Sequence, residues 1–176
     1  LDPKLGISPR ALMKRVYESA VSYARTFSTA SESLLFMGAT GLGKTLLSGC
    51  IARAVADRGY SVCYVSAGKL FSDFETEKFR LKEDGALTGE YLQTDLLIID
   101  DLGTEMTTQF TVSALYQIVN GRLLSGKPTI VSTNLPDTEL EARYSAQIAS
   151  RLLGAYTLYQ FCGTDVRLLR KMESRG

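Results

Sequence analysis

Eight residues constrain the fold of this chain more than any others: Gly38-Ala39-Thr40-Gly41-Leu42-Gly43-Lys44-Thr45, which fit G-x-x-x-x-G-K-[ST]. An apolar run at 34–37 precedes them, and a proline-free stretch rich in Leu, Ile and Ala follows at 46–56. A strand feeding a glycine loop that opens a helix is the context a phosphate-binding loop requires. Glycines let successive backbone N–H groups turn inward onto phosphate oxygens. The N-terminus of the next helix adds unpaired N–H groups and the positive end of its dipole. On this reading Lys44 reaches the β- and γ-phosphates and the Thr45 hydroxyl ligates Mg²⁺. The alternative, a glycine-rich turn that binds nothing, leaves the Lys-Thr pair unexplained. The expected ligand is a nucleoside triphosphate with Mg²⁺.

A second element narrows the class. Asp95-Leu96-Leu97-Ile98-Ile99-Asp100-Asp101 is an unbroken apolar run closed by two carboxylates. Such a run, without alternation, predicts a strand buried on both faces of a parallel sheet. Ligands of these sheets bind beyond the carboxyl ends of the strands. Asp100 is therefore expected beside the phosphate loop, holding Mg²⁺ through water, and Asp101 is expected to polarise the attacking water. Taken alone, the pair also fits a solvated acidic turn after a core strand.

At 176 residues the chain has the length of one domain. Lys and Arg number 20 against 19 Asp and Glu, so bulk charge gives no argument for nucleic acid. Cys50, Cys63 and Cys162 are widely spaced, which argues against structural zinc and suits a reducing cytoplasm. Histidine is absent, which excludes a Ser-His-Asp triad and histidine metal ligation. No apolar stretch approaches the ~20 residues of a membrane span, so no membrane partner is expected and the location is expected to be cytoplasmic. The chain starts at Leu1 rather than Met, and an excised domain is the expectation.

Along the chain, Ser8 and Pro9 predict a capped helix over 9–27 with Leu12, Val16, Ala20, Tyr23 and Phe27 on one stripe. Strands are predicted at 34–37, 62–65, 96–100, 129–132 and 156–161. Helices are predicted at 44–57, 69–80, 110–124, 137–144 and 146–152, with a shorter one at 89–93 and a helix or turn at 165–172. The 110–124 helix is expected to turn Val112, Leu115, Ile118, Val119 and Leu123 inward. Strands alternating with helices predict a three-layer α/β sandwich.

Asp95–Glu105 (DLLIIDDLGTE), Thr129–Leu135 (TIVSTNL) and Ile148–Leu152 (IASRL), together with the phosphate loop, resemble bacterial helicase loaders of the DnaC/DnaI type. These are AAA+ ATPases, and the IstB-type transposition helpers are close relatives. The resemblance runs from about Pro9 to Lys171. It implies a P-loop NTPase domain over 29–176, preceded by a helix and linker over 1–28, with a five-stranded parallel sheet in the order 5-1-4-3-2. It also implies a helicase-binding region that belongs N-terminal to this domain.

The resemblance implies further roles. Asn134 matches sensor 1, aimed at the γ-phosphate or the attacking water, although an asparagine before Leu135-Pro136 also suits a plain turn. Arg151 matches the arginine finger given to a neighbouring subunit's ATP, although it also reads as an ordinary arginine near a helix end. Arg167 matches sensor 2, a role Arg170 competes for. Most AAA+ proteins carry glutamate where this chain has Asp101, one methylene shorter. Helicase loaders share the aspartate, and the shorter carboxylate predicts slow hydrolysis. Glu105 is a reserve candidate for the same role.

The implied activity is weak ATP hydrolysis that gates self-assembly on single-stranded DNA and delivery of the replicative DNA helicase. Residues 69–85 fall where initiator-type relatives place pore-facing helices. Lys69, Lys78, Arg80 and Lys82 with Phe71, Phe74 and Phe79 would track a single strand. Acidic neighbours weigh against this, and Phe71 and Phe74 also read as core. Two other functions stay open: an IstB-like transposition helper acting on duplex DNA, and a small-molecule kinase, for which no arginine-rich lid sequence is present.

Overall fold

A computed structural model describes residues 8–79 and 86–165. Helix α1 (Pro9–Thr26) leads into β1 (Leu34–Met37), α2 (Lys44–Ala56), β2 (Val62–Ser66), α3 (Ala67–Phe79), α4 (Ala86–Gln93) and β3 (Leu96–Leu102). Then come α5 (Gln109–Leu124), β4 (Thr129–Thr133), α6 (Asp137–Tyr144), α7 (Ala146–Ala155) and β5 (Thr157–Gln160). Strands and helices alternate, so the five strands pair in parallel, in the order β2-β3-β4-β1-β5. This is the 5-1-4-3-2 order expected from the resemblance.

The apolar runs of β1, β3 and β4 are unbroken because each of these strands feeds two cores. Leu35, Leu97, Ile99 and Val131 face α3 to α7. Leu34, Phe36, Leu96, Ile98 and Ile130 face α1 and α2. All nine are at most 1% exposed, and burying each such side chain contributes about 1.5–3 kcal/mol. Helix α1 closes the second core with Val16, Ala20, Tyr23 and Ala24. Its N-cap is Ser8, whose hydroxyl accepts from the Ala11 N–H at 3.2 Å.

The structure corrects the sequence reading at α5. The fully inward positions are Thr111, Ala114, Leu115, Ile118, Val119 and Arg122, while Val112 and Leu123 lie half-buried at the flank. A charged residue therefore occupies a core position that an apolar-stripe argument passes over. Strand β3 also runs two residues beyond Asp100. Its register against β4 breaks between Ile99 and Leu102, and Asp101 there takes φ 55. That break lets Asp100 point into the molecule while Asp101 is exposed at the C-terminal sheet edge. Helix α4 begins at Ala86, earlier than its sequence suggested. The 165–172 prediction falls, beyond Asp165, outside the described residues. No described helix is long and apolar enough to cross a membrane.

Candidate nucleotide site

The loop from Gly38 to Gly43 joins β1 to α2. Its N-cap, Gly43, supplies no side-chain hydrogen bond, so the first-turn N–H groups of α2 face the loop without a competing side chain. Two glycines of the loop sit hard against neighbouring groups, Gly38 against backbone and Gly41 against a side chain. A Cβ on Gly38 would lie 2.4 Å from the Phe161 carbonyl oxygen, and one on Gly41 would lie 2.1–2.3 Å from the Asp165 carboxyl group. Gly41 also takes φ 81, which L-residues rarely adopt.

Lys44 is only 5% exposed, and its ammonium donates to the carbonyls of Gly38 at 2.5 Å and Ala39 at 2.9 Å. Burial holds its pKa below the ordinary lysine value, partly countered by the charges of Asp101 and Asp100. A buried cation satisfied by backbone oxygens of its own loop is placed to exchange them for an anion's oxygens.

Beside it the Thr45 hydroxyl donates to Asp100 Oδ1 at 3.3 Å. Two further groups hold this carboxylate, and sequence reasoning missed both. The buried Ser132 hydroxyl donates to Oδ1 and also accepts the Asp101 N–H at 3.0 Å. From β2, the Tyr64 hydroxyl donates to Oδ2 at 2.7 Å. Partial burial and the bond to Asp100 raise the Tyr64 pKa above its ordinary value, so the phenol stays a donor. Only the register of β2 and β4 against β3 brings these side chains together.

A hydroxyl and a carboxylate side by side, with oxygen as the only donor atom, suit a hard divalent cation that completes its shell with phosphate oxygens and water. Among the described residues no group of three or more His, Cys, Asp or Glu gathers as a protein-only metal cage. The residues present therefore fit Mg²⁺ carried with a nucleotide.

The remaining predicted residues divide. Asp101 is exposed at the end of the β3 core. Asn134, exposed just past β4, shares a cavity of about 400 Å³ with Gly38 and Ala39. Glu105 is folded back onto its own turn. One carboxylate oxygen accepts the Gly103 N–H at 3.1 Å, and the other accepts the Tyr144 hydroxyl. Arg143 fastens that turn through the Gly103 carbonyl (2.6 Å), the Glu105 carbonyl (2.8 Å) and the Thr107 hydroxyl (2.8 Å). Arg151 is not drawn to this phosphate loop, and its hydrogen-bond partners all lie on α5 and α7. Arg167 lies outside the described residues, as do Arg80 and Lys82. Phe71 and Phe74 are core residues, 4% and 7% exposed. An apolar groove of about 490 Å³ opens beside Gly43, between α1 and α2, lined by Met13, Tyr17, Leu42, Leu46 and Phe161 among others.

A phosphate loop joining β1 to α2 on a sheet ordered 2-3-4-1-5 defines a P-loop NTPase domain of the AAA+ class. Residues 12–158 match the IstB-like ATP-binding proteins, and the chain belongs to that family. It is 30% identical over 105 residues to an ATP-binding protein of an insertion sequence in Mycobacterium tuberculosis, covering 60% of this chain and 41% of that protein. It is 27% identical over 135 residues to the replicative helicase loader DnaC of Escherichia coli strain K12, covering 76% of this chain and 55% of DnaC. A crystal structure of the DnaC helicase loader shares the fold, with a TM-score of 0.78 at 20% identity, over 86% of this chain and 90% of that one. The chain thus spans about half the length of the curated relatives it matches. Its relatives include replicative helicase loaders and an insertion-sequence ATP-binding protein.

Proposed function

We propose that this domain is a weak ATPase that works as a nucleotide-gated helicase loader, assembling on single-stranded DNA and delivering the replicative helicase. The observation that carries the nucleotide half of this reading is the Thr45–Asp100 pair beside an uncapped helix N-terminus and a buried Lys44. Lys44 and the first-turn N–H groups of α2 would bind the phosphates, and the apolar groove beside Leu42 and Leu46 would take the base. Thr45 and Asp100 would hold Mg²⁺, whose charge, when bound, offsets that of the phosphate oxygens. Asp101 would orient the attacking water and accept its proton, with Asn134 fixing the water or the terminal phosphate from the neighbouring strand. Arg151 would serve the ATP of the adjoining subunit, where a guanidinium offsets charge on the transferred phosphoryl group. Arg167 keeps its sensor 2 assignment on sequence grounds. In this reading 1–28 is a helix and linker, 29–176 the ATPase domain, and helicase contact belongs to a separate N-terminal region.

The family match favours a second reading, a transposition helper that binds duplex DNA and stimulates a transposase. One assay separates the two: ATPase rate across protein concentration, with single-stranded or duplex DNA, for the wild type and Arg151→Ala. A loader rises with concentration and single strands and collapses in the variant while nucleotide still binds. Stimulation by duplex alone selects the transposition helper. A rate indifferent to DNA, concentration and Arg151 removes the assembly reading altogether.

A further inference from the structure

Arg151 is held in a cage built by its own helix and a neighbouring one. Its Nε donates to Asn120 Oδ1 at 2.9 Å, one Nη donates to the Tyr116 hydroxyl at 3.1 Å, and the other donates to the Gln147 carbonyl at 3.1 Å. The guanidinium carbon lies 4.7 Å from the centre of the Tyr116 ring. Tyr116 and Asn120 are four residues apart on α5, as Gln147 and Arg151 are on α7, so two helix faces close on one side chain.

Two properties of the cage stand out. All its acceptors are neutral, and among the described residues Arg151 has no carboxylate within ion-pair distance. The positive charge is oriented without being cancelled. The three hydrogen bonds also use three of the five guanidinium N–H donors and leave one on each Nη. An arginine whose task was to staple α7 to α5 would gain more from an acidic partner. A half-buried arginine fixed by neutral groups, with its charge and a donor pair in reserve, is arranged for an anion from outside.

We propose that Tyr116 and Asn120 are positioning residues for Arg151, holding its guanidinium ready for the phosphate of a neighbouring copy of this chain. The inference rests on the reading of Arg151 as a finger acting between subunits. A long side chain fixed in advance loses less freedom when it meets the transferred phosphoryl group, and that is where its contribution to rate resides. Neither residue touches nucleotide; each acts through Arg151.

The test is directional complementation. Lys44→Ala subunits keep a finger but lose the phosphate ligand, and Arg151→Ala subunits keep the site but lose the finger. In a mixture with ATP, Mg²⁺ and single-stranded DNA, turnover comes from Arg151→Ala sites served by Lys44→Ala fingers. Asn120→Ala placed in the finger donor should slow that mixed turnover about tenfold, the scale on which loss of orientation acts. The same change in the finger-less acceptor should leave it within about twofold. Tyr116→Phe in the donor, which keeps the ring and removes only the hydroxyl acceptor, should slow turnover in the same direction and guards against misfolding of the first variant. Equal slowing in donor and acceptor would make Asn120 an ordinary helix-packing residue and overturn the proposal. An unchanged rate with both donor variants would overturn it as well. No turnover in the unmodified mixture would instead remove the intersubunit finger, and the cage with it.

Discussion

Replacing Arg122 by methionine tests whether a buried charge with only neutral partners holds this sheet together. Arg122 is fully buried on α5. Its Nε donates to the Thr129 hydroxyl at 2.7 Å, and its Nη2 donates to the Pro128 carbonyl at 2.6 Å. Its Nη1 reaches the carbonyls of Tyr91 (2.8 Å), Leu92 (3.3 Å) and Thr94 (3.0 Å), where α4 ends and β3 is about to begin. The arginine thus caps one helix from inside another and ties both to the start of β4. Methionine fills similar space and removes every donor. Each buried carbonyl left without a partner costs about 1–3 kcal/mol, and among the described residues Pro128 retains a second donor, the Leu97 N–H. Against that loss stands the relief of no longer burying a cation, so the net expectation is about 3–5 kcal/mol of destabilisation. For a chain of this size that lowers Tm by roughly 6–20 °C.

Calorimetry or far-ultraviolet circular dichroism, with urea titration as a check on cooperativity, measures it. A pH arm follows from the same geometry. Burial pushes the Arg122 pKa from its ordinary value down to about 10. The folded state therefore binds this proton less tightly than the unfolded chain, and stability from this group rises with pH only from about 10 up to the ordinary arginine value. Below pH 10 its contribution is flat, and the wild-type minus methionine difference should match at pH 6 and pH 9. A methionine variant as stable as wild type would refute the reasoning, because the cost of burying the charge would then equal everything its hydrogen bonds return.

Four further outcomes are expected. Lys44→Ala should abolish the thermal stabilisation that a non-hydrolysable ATP analogue with Mg²⁺ gives the wild type, while its own Tm stays close to wild type. Gly41→Ala must displace Asp165 and adopt a positive φ, so nucleotide affinity measured by titration calorimetry should fall at least tenfold. Tyr64→Phe frees Asp100 Oδ2 of a competing donor, and the Mg²⁺ concentration needed for half-maximal analogue binding should drop a few-fold; an increase would mean the phenol organises the metal ligand. Asp101→Asn should cut single-turnover hydrolysis about 10²-fold or more, whereas Glu105→Gln, whose carboxylate serves Gly103 and Tyr144, should retain it; the reverse pattern would exchange their roles.

Local chemistry makes much of this fold legible in the sequence. The glycine loop lies where strand and helix flanks put it, because glycine content, the Lys-Thr pair and helix propensity are all local properties. The long apolar runs announced strands buried on both faces, and β1 and β3 begin where they were expected. Sheet order came from resemblance to a family rather than from periodicity, since nothing local states which strand lies beside which. The same gap hid Tyr64 and Ser132. Each is an unremarked residue in a short strand, and only parallel register over more than thirty positions turns both toward Asp100. Arg122 escaped for a different reason. Hydrophobic patterning has no symbol for a cation whose partners are backbone carbonyls, so the stripe on α5 was phased toward Leu123 instead.

The Lys44 ammonium already spends two donors on carbonyls of its own loop. On the proposed function, nucleotide would arrive by substitution rather than addition: phosphate would displace an internal ligand, and the Gly38 and Ala39 oxygens would find new partners or turn toward water. Lysine and loop carbonyls thus form a closed circuit, and an exchange of partners would be written in backbone orientation at the C-terminal end of β1. Strand β1 lies between β4, which leads to Asn134, and β5, which leads to Phe161 and Asp165 above the loop. On the proposed function, a reorientation of two peptide groups there would be the smallest movement by which this domain registers a bound nucleotide.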